Sequence, residues 1–260
     1  MRSICERMKF ETMAFWYYLS DVFKYRINAS EIGITNHLVY VITSFYGGRL
    51  PGLEVYAWNA PYEPTRGADI DLFIQLPNGR YRWFMLQAKV LDYNGKYKDI
   101  EHWAPDAQYR KLITWASAVA ATPYYLLYNG YTINSGTGSD DLGLSCVHAR
   151  RIERLRHQQS RMAVIPHGMS ILTFDMLFRE NMFPFYYLFC RTPSRFFHSI
   201  RMELDGTDIY RGYPYIRVDG SEEPPTDDGG AKPSSDVNDS GIYSRYRILV
   251  PFDKNSNLNS

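Results

Sequence analysis

The segment from Gly67 to Leu91 constrains the fold more than any other part of the chain, because its side chains alternate between polar and apolar along two arms. Such period-two alternation indicates β-strands that turn one face toward a core. The two arms are separated by Pro77-Asn78-Gly79, a combination that is typical of a tight turn. The segment therefore predicts an antiparallel hairpin.

The turn decides which side chains of the two arms face each other. A three-residue loop over residues 77–79 places Asp69 opposite Gln87. Lys89 then lies diagonally beside this pair on the same face. A two-residue turn would instead place Asp69 opposite Ala88 and send Gln87 to the other face. The proline suits the second position of a type I turn, which favours the three-residue loop.

The other patterned segments predict a mixed sheet flanked by helices. Helices are predicted over Lys9–Val22, Ser30–Ser44 and Asp106–Ala121, and strands over Leu53–Trp58 and Tyr124–Tyr128. The order strand, helix, strand after the hairpin requires a crossover connection and a parallel neighbour. Because the hairpin itself is antiparallel, we expect an α/β fold whose central sheet mixes both kinds of pairing.

Composition divides the chain into four predicted regions. Residues 221–241 hold six acidic residues, one lysine and almost no apolar side chain, so they cannot repay the entropy of ordering. We predict an α/β core over 1–135, an extension packed on it over 136–218, a flexible acidic loop over 219–241, and a strand-like segment with a tail over 242–260. Outside residues 221–241 the chain has 28 basic and 22 acidic side chains, which permits a nucleic-acid partner.

Cysteine usage and hydropathy bear on the compartment. Cys5, Cys146 and Cys190 are odd in number and form no C-x-x-C pair, which favours a reducing compartment. No apolar run reaches the ~18 residues of a membrane span. The short aromatic run Met13–Leu19 lacks the cleavage site of a signal peptide. We therefore expect a cytoplasmic protein with no membrane segment.

Two tripeptides, Gly67-Ala68-Asp69 and Gln87-Ala88-Lys89, lie at the same end of the predicted hairpin, and Glu31 lies on the helix before it. This order of G-x-D, hairpin and [E/Q]-x-K resembles the PD-(D/E)XK nuclease superfamily, whose core is restriction-endonuclease-like. The Q-x-K form is similar to that of the Mrr-type and related branches. The chain also resembles an uncharacterised bacterial group of predicted nucleases. This resemblance covers about residues 28–190.

The resemblance implies a metal-dependent phosphodiesterase. Phosphodiester hydrolysis needs an activated water and stabilisation of negative charge, and Mg²⁺ or Mn²⁺ held by oxygen ligands supplies both. Lys89 would orient the attacking water or help to deprotonate it. The implied catalytic residues are Asp69, Gln87, Lys89 and Glu31. The implied metal ligands are Asp69, Gln87, the Ala88 carbonyl, Glu31 and, two residues along the same face, Asp71.

Contacts to nucleic acid are expected from two further segments. The resemblance suggests that Gln108 approaches the site or the DNA backbone. The segment Ala149–Arg161 contains five arginines, of which Arg150, Arg151 and Arg154 are predicted to contact phosphates. An ordinary solvated helix face is an equally good interpretation of this segment.

These observations lead to the hypothesis of a metal-dependent nuclease that acts on DNA, in an anti-phage defence or restriction setting that the resemblance alone suggests. Because Gln87 replaces the usual acid, a catalytically weak or inert nucleic-acid-binding module is an alternative. An RNase on the same scaffold is another, and a homo-oligomer or an activating partner protein is compatible with each. The polar residues could also form an ordinary solvated hairpin face, and Glu31 could simply stabilise its helix N-terminus.

Overall fold

The computed structural model describes residues 3–46, 54–58, 68–97, 100, 107–132, 139–161, 172–190, 215–217 and 246–251. The predicted acidic loop lies outside these residues. The helices are α1 (Ile4–Lys24), α2 (Glu31–Tyr46), α3 (Gln108–Ala118), α4 (Ala149–Arg161) and α5 (Phe174–Arg179), with 3₁₀ helices at Asp140–Leu142 and Phe185–Leu188. The strands are β1 (Glu54–Trp58), β2 (Ile70–Gln75), β3 (Tyr81–Val90), β4 (Lys96–Tyr97), β5 (Thr122–Tyr128), β6 (Leu144–His148), β7 (Leu172–Thr173), β8 (Phe183–Pro184), β9 (Tyr215–Arg217) and β10 (Tyr246–Val250).

Eight of these strands form one mixed sheet in the order β8-β6-β5-β3-β2-β10-β1-β9, and β4 pairs with β7 separately. The pairs β3–β5 and β2–β10 are parallel, whereas the hairpin β2–β3 is antiparallel. Helices α1 and α2 pack on the sheet, and α3 packs on α4, β3 and β5. The predicted α/β class with a mixed central sheet is confirmed.

The hairpin adopts the register that the three-residue loop predicts. Ile70 faces Leu86 across the two strands, and the Leu76 N–H donates to the Arg80 carbonyl at 2.7 Å. Gly79 has φ of +81° and takes the left-handed position at the end of the turn. Because glycine adopts this conformation without steric cost, the sequence of the turn fixes the register.

The segment predicted to be strand-like near the C-terminus is a central strand of the sheet. β10 lies between β2 and β1, and Ile248, Leu249 and Val250 are buried. Three consecutive apolar residues are typical of a strand covered on both faces. The sheet is therefore not completed within residues 1–135, because the neighbour of β2 comes from residues 246–250.

The cysteines are arranged differently from what their spacing indicates. Cys5 in α1 and Cys190 after the second 3₁₀ helix form a disulfide across 185 residues, and Cys146 is a buried free thiol. A single long-range disulfide leaves no local pattern in the sequence, so the number and spacing of the cysteines could not predict this bond. Among the described residues, no helix combines the length and the apolar character needed to cross a bilayer.

Candidate functional site

Asp69 lies at the start of β2, where the hydrogen-bonded ladder with β3 ends. Its backbone N–H donates to the Leu86 carbonyl at 2.8 Å, and its carboxylate Oδ2 accepts the Ala88 N–H at 2.8 Å. The Asp69 side chain thus accepts the Ala88 N–H in place of a backbone carbonyl of the neighbouring strand. This contact holds the carboxylate over the end of β3.

Gln87 lies directly against Asp69, as the predicted register requires. Its Nε2 donates to Asp69 Oδ2 at 2.6 Å and approaches the Ala88 carbonyl oxygen at 3.4 Å. The side chain is buried. Asp69 Oδ2 therefore receives two donors, and the Gln87 amide turns its nitrogen toward the acid.

Lys89 completes the cluster through an ion pair with Glu31. Its Nζ lies 3.2 Å from Glu31 Oε2, and the lysine is only 4% exposed whereas Glu31 is partly open to solvent. A buried ammonium is costly unless it is paired, so this contact offsets the cost of placing Lys89 at the end of β3. The first turn of α2 supplies the carboxylate.

Thr35 and Tyr128 are two site residues that the sequence did not single out. Thr35 lies one turn after Glu31, and its Oγ1 lies 2.9 Å from the Tyr128 hydroxyl at the end of β5. Burial raises the pKa of Tyr128, and the negative charges of Asp69 and Glu31 raise it further, although the Thr35 bond opposes this. The two acids therefore lie within electrostatic reach of one phenol. The i, i+4 spacing from Glu31 was the available signal for Thr35.

The donor set fits a hard divalent cation. Asp69 and Glu31 offer carboxylates, Gln87 an amide oxygen and Ala88 a backbone carbonyl, and oxygen ligands are what Mg²⁺ and Mn²⁺ take. Within the described ranges no group of three or more His, Cys, Asp or Glu residues could hold a metal ion. A cation held here would therefore need the amide and the carbonyl as further ligands, and Gln87 would have to turn its oxygen toward it.

Asp71 was expected to bind the metal, but its carboxylate lies in a buried environment with other partners. It is 1% exposed, accepts the Trp83 Nε1–H at 2.9 Å and lies 3.7 Å from a guanidinium nitrogen of Arg247. The Arg247 guanidinium also lies 5.0 Å from the centre of the Phe73 ring. These contacts tie β2 to β10, so Asp71 is engaged in a buried ion pair and we leave it out of the metal-ligand set.

Gln108 is partly buried and begins α3. Because β3 and β5 are parallel, the connecting α3 must run back along the sheet. Its first turn therefore lies toward the end of β3 that carries Lys89. This position is compatible with the predicted approach of Gln108 to the site.

The three arginines of α4 that are predicted to contact phosphates make contacts outside the Asp69 cluster. Arg151 and Arg154 place a guanidinium nitrogen 3.7 and 4.0 Å from Glu180, and the backbone N–H of Arg150 donates to His148 Nδ1 at 3.2 Å. Burial lowers the pKa of His148 to about 4, and the charges of Arg150 and Arg151 contribute. None of the contacts found in the described part of the chain joins these arginines to the Asp69 cluster.

The fold and the site define an α/β protein with a mixed sheet and a cluster of two carboxylates, one amide and one buried lysine at the end of its central hairpin. A family model described as "Family of unknown function (DUF6615)" matches residues 4–245, and the chain belongs to this family. No curated protein and no solved structure matches the chain.

Proposed function

We propose that this protein is a metal-dependent nuclease that hydrolyses phosphodiester bonds in DNA. The observation that carries the proposal is the ion pair between the buried Lys89 and Glu31, which lies beside the Asp69–Gln87 pair at one end of the hairpin. The restriction-endonuclease-like core, the cytoplasmic location and the bacterial anti-phage or restriction setting belong to the same proposal. The resemblance of the GAD and QAK tripeptides supports the core and the setting, and the odd cysteine count without a C-x-x-C pair favours the cytoplasmic location.

The residues of the cluster have separate tasks in the proposed reaction. Asp69, Gln87, the Ala88 carbonyl and Glu31 would hold Mg²⁺ or Mn²⁺. Such a cation, when bound, polarises the phosphate and lowers the pKa of a coordinated water. The Ala88 N–H fixes the Asp69 carboxylate at 2.8 Å, so this ligand is oriented before any cation arrives.

Lys89 is proposed to orient the attacking water and to offset the charge that develops on the phosphate oxygens. Its ammonium is 4% exposed, and an interaction between charges is stronger away from bulk water. Glu31 keeps the ammonium at the end of β3. Loss of Lys89 would thus remove a donor and a charge without removing a metal ligand.

Cleavage of supercoiled plasmid with Mg²⁺, with Mn²⁺ and with EDTA tests the proposal. We expect the wild-type protein to nick or linearise the plasmid only with metal, and Lys89→Ala to be slower by a factor of about 10² or more. Lys96→Ala is the matched control, because Lys96 is an exposed lysine on β4. This variant should cleave the plasmid like wild type. Cleavage by Lys89→Ala at the wild-type rate would contradict the assignment.

A second candidate is a nucleic-acid-binding module with little or no catalysis. The Gln87 amide nitrogen faces Asp69, so the arrangement as it stands turns no amide oxygen toward that acid. Gln87→Glu restores the usual acid and separates the candidates. If wild type binds DNA but cuts neither DNA nor matched RNA, while Gln87→Glu gains metal-dependent cleavage, the binding module is correct. Cleavage of RNA alone would establish an RNase.

The same assays bear on the partners of the proposed nuclease. Sedimentation of the wild-type chain with and without DNA would show whether a homo-oligomer accompanies activity. If wild type binds DNA and Gln87→Glu also fails to cut, an activating partner protein becomes the better hypothesis.

A further inference from the structure

A cleft of about 440 Å³ opens between α1 and α2, and neither Asp69 nor Gln87 lines it. Its walls include Glu11, Phe15 and Tyr18 from α1, and Ser30, Gly33 and His37 from the start of α2. None of these residues has a task in the proposed chemistry. The cleft therefore needs an explanation of its own.

The walls combine aromatic rings with one buried acid. The Phe15 ring is only 3% exposed and meets the His37 ring edge to face at 5.6 Å, whereas Tyr18 is 56% exposed and available to a ligand. Glu11 is 5% exposed and forms an ion pair with Arg7, and burial raises its pKa although Arg7 and His37 oppose this. Aromatic faces stack on planar rings, and a carboxylate accepts hydrogen bonds from ring amino and imino groups. A nucleobase offers both features.

The position of the cleft connects it to the candidate site. Ser30 and Gly33 lie within one turn of Glu31 on α2, a distance of roughly 5 Å along the helix axis. The Ser30 hydroxyl accepts the Gly33 N–H at 3.3 Å and so fixes this turn. A ligand in the cleft would thus contact the helical turn that holds Lys89 through Glu31.

We propose that this cleft is a nucleobase pocket that takes an unstacked base of the substrate strand, so that the enzyme acts on single-stranded or locally unpaired nucleic acid. A base paired within a duplex cannot enter such a cleft until it leaves the stack. The assignment of the base to a substrate strand rests on the proposed nuclease function. The binding of a base in the cleft does not.

The test measures binding of the full chain in EDTA, without cleavage. A fluorescent single-stranded DNA, its blunt duplex and free nucleoside monophosphates are compared by anisotropy, the free nucleotides as competitors. Gly33→Leu fills the cleft from the α2 side, where a Cβ meets only Ser30 at 3.6 Å. Tyr18→Ala removes a ring from the α1 side, and Tyr131→Ala removes an exposed ring that does not line the cleft.

We expect single strands to bind at least tenfold more tightly than the duplex. Gly33→Leu and Tyr18→Ala should each weaken single-strand binding about tenfold, the scale of one lost stack, whereas Tyr131→Ala should not. Equal binding of both DNA forms, or wild-type affinity in Gly33→Leu and Tyr18→Ala, would overturn the pocket. Binding of free nucleotides alone would overturn the assignment to a substrate strand. A chain that binds through the cleft but cuts nothing would refute only the nuclease proposal.

Discussion

At the scale of single residues, the contrast between Asp69 and Asp71 is instructive. The two acids are two positions apart and share a strand face, yet Asp69 meets the Gln87 amide and the Ala88 N–H whereas Asp71 meets Trp83 and Arg247. One acid is therefore available to a functional cluster, and the other stabilises the join between β2 and β10.

This difference predicts the effect of removing Asp71. Asp71→Ala removes one charged partner of the buried Arg247 and should cost about 3–5 kcal/mol of unfolding free energy, measured by urea denaturation. The double variant Asp71→Leu with Arg247→Met removes both charges and should recover most of that loss. Its metal-dependent cleavage should also match wild type. A stable but inactive double variant would show instead that Asp71 binds the metal.

At the scale of elements, the packing of α1 depends on a glycine in the turn before β6. A Cβ built on Gly143 would lie 2.0 Å from the Thr12 carbonyl oxygen and 2.5 Å from the Trp16 nitrogen. The backbone of α1 therefore lies directly against this turn. No side chain can be added there unless the helix moves.

Gly143→Ala should accordingly destabilise the protein by about 1–3 kcal/mol or more, because overpacking forces backbone shifts. Gly33→Ala is the matched control, since its Cβ would meet only Ser30 at 3.6 Å within a helix. That variant should be unchanged or more stable by up to about 1 kcal/mol. The measurement is the urea midpoint of each variant. Equal midpoints would refute the close approach of α1 to Gly143.

At the scale of the whole molecule, the Cys5–Cys190 disulfide joins the first turn of α1 to the end of the second 3₁₀ helix. The two elements also pack on each other. A cross-link between such distant residues restricts the unfolded chain strongly. The bond should therefore stabilise the fold as a unit.

Reduction of the disulfide should lower the unfolding free energy by about 2–5 kcal/mol. The measurement is the urea midpoint, which should fall when a reductant is added. Cys5→Ser should reproduce the reduced midpoint, and Cys146→Ala should keep the response to reductant because Cys146 is outside the bridge. A urea midpoint that is the same with and without the reductant would contradict the stabilising role of the disulfide. A reducing compartment would keep this bond open, so the thiol content of protein isolated under alkylation also tests the proposed cytoplasmic location.

The sequence predicted some helix ends less well than it predicted the hairpin. The helix expected to begin at Lys9 begins at Ile4, because Ser3 and Glu6 form a reciprocal capping box with bonds of 3.2 and 3.1 Å. The S-x-x-E pattern was present in the sequence and was the missed signal. The crossover from β3 through α3 to β5, by contrast, was predicted from element order alone.

The sequence by itself determined the hairpin, its register and the meeting of Asp69 with Gln87, because a turn of fixed geometry and period-two alternation act between residues close in the chain. Only the tertiary structure decided that β10 separates β2 from β1, that Asp71 pairs with Arg247 and that Cys5 bonds Cys190. These contacts join residues far apart in sequence. Their partners are selected by the packing of the whole chain, which no local pattern encodes.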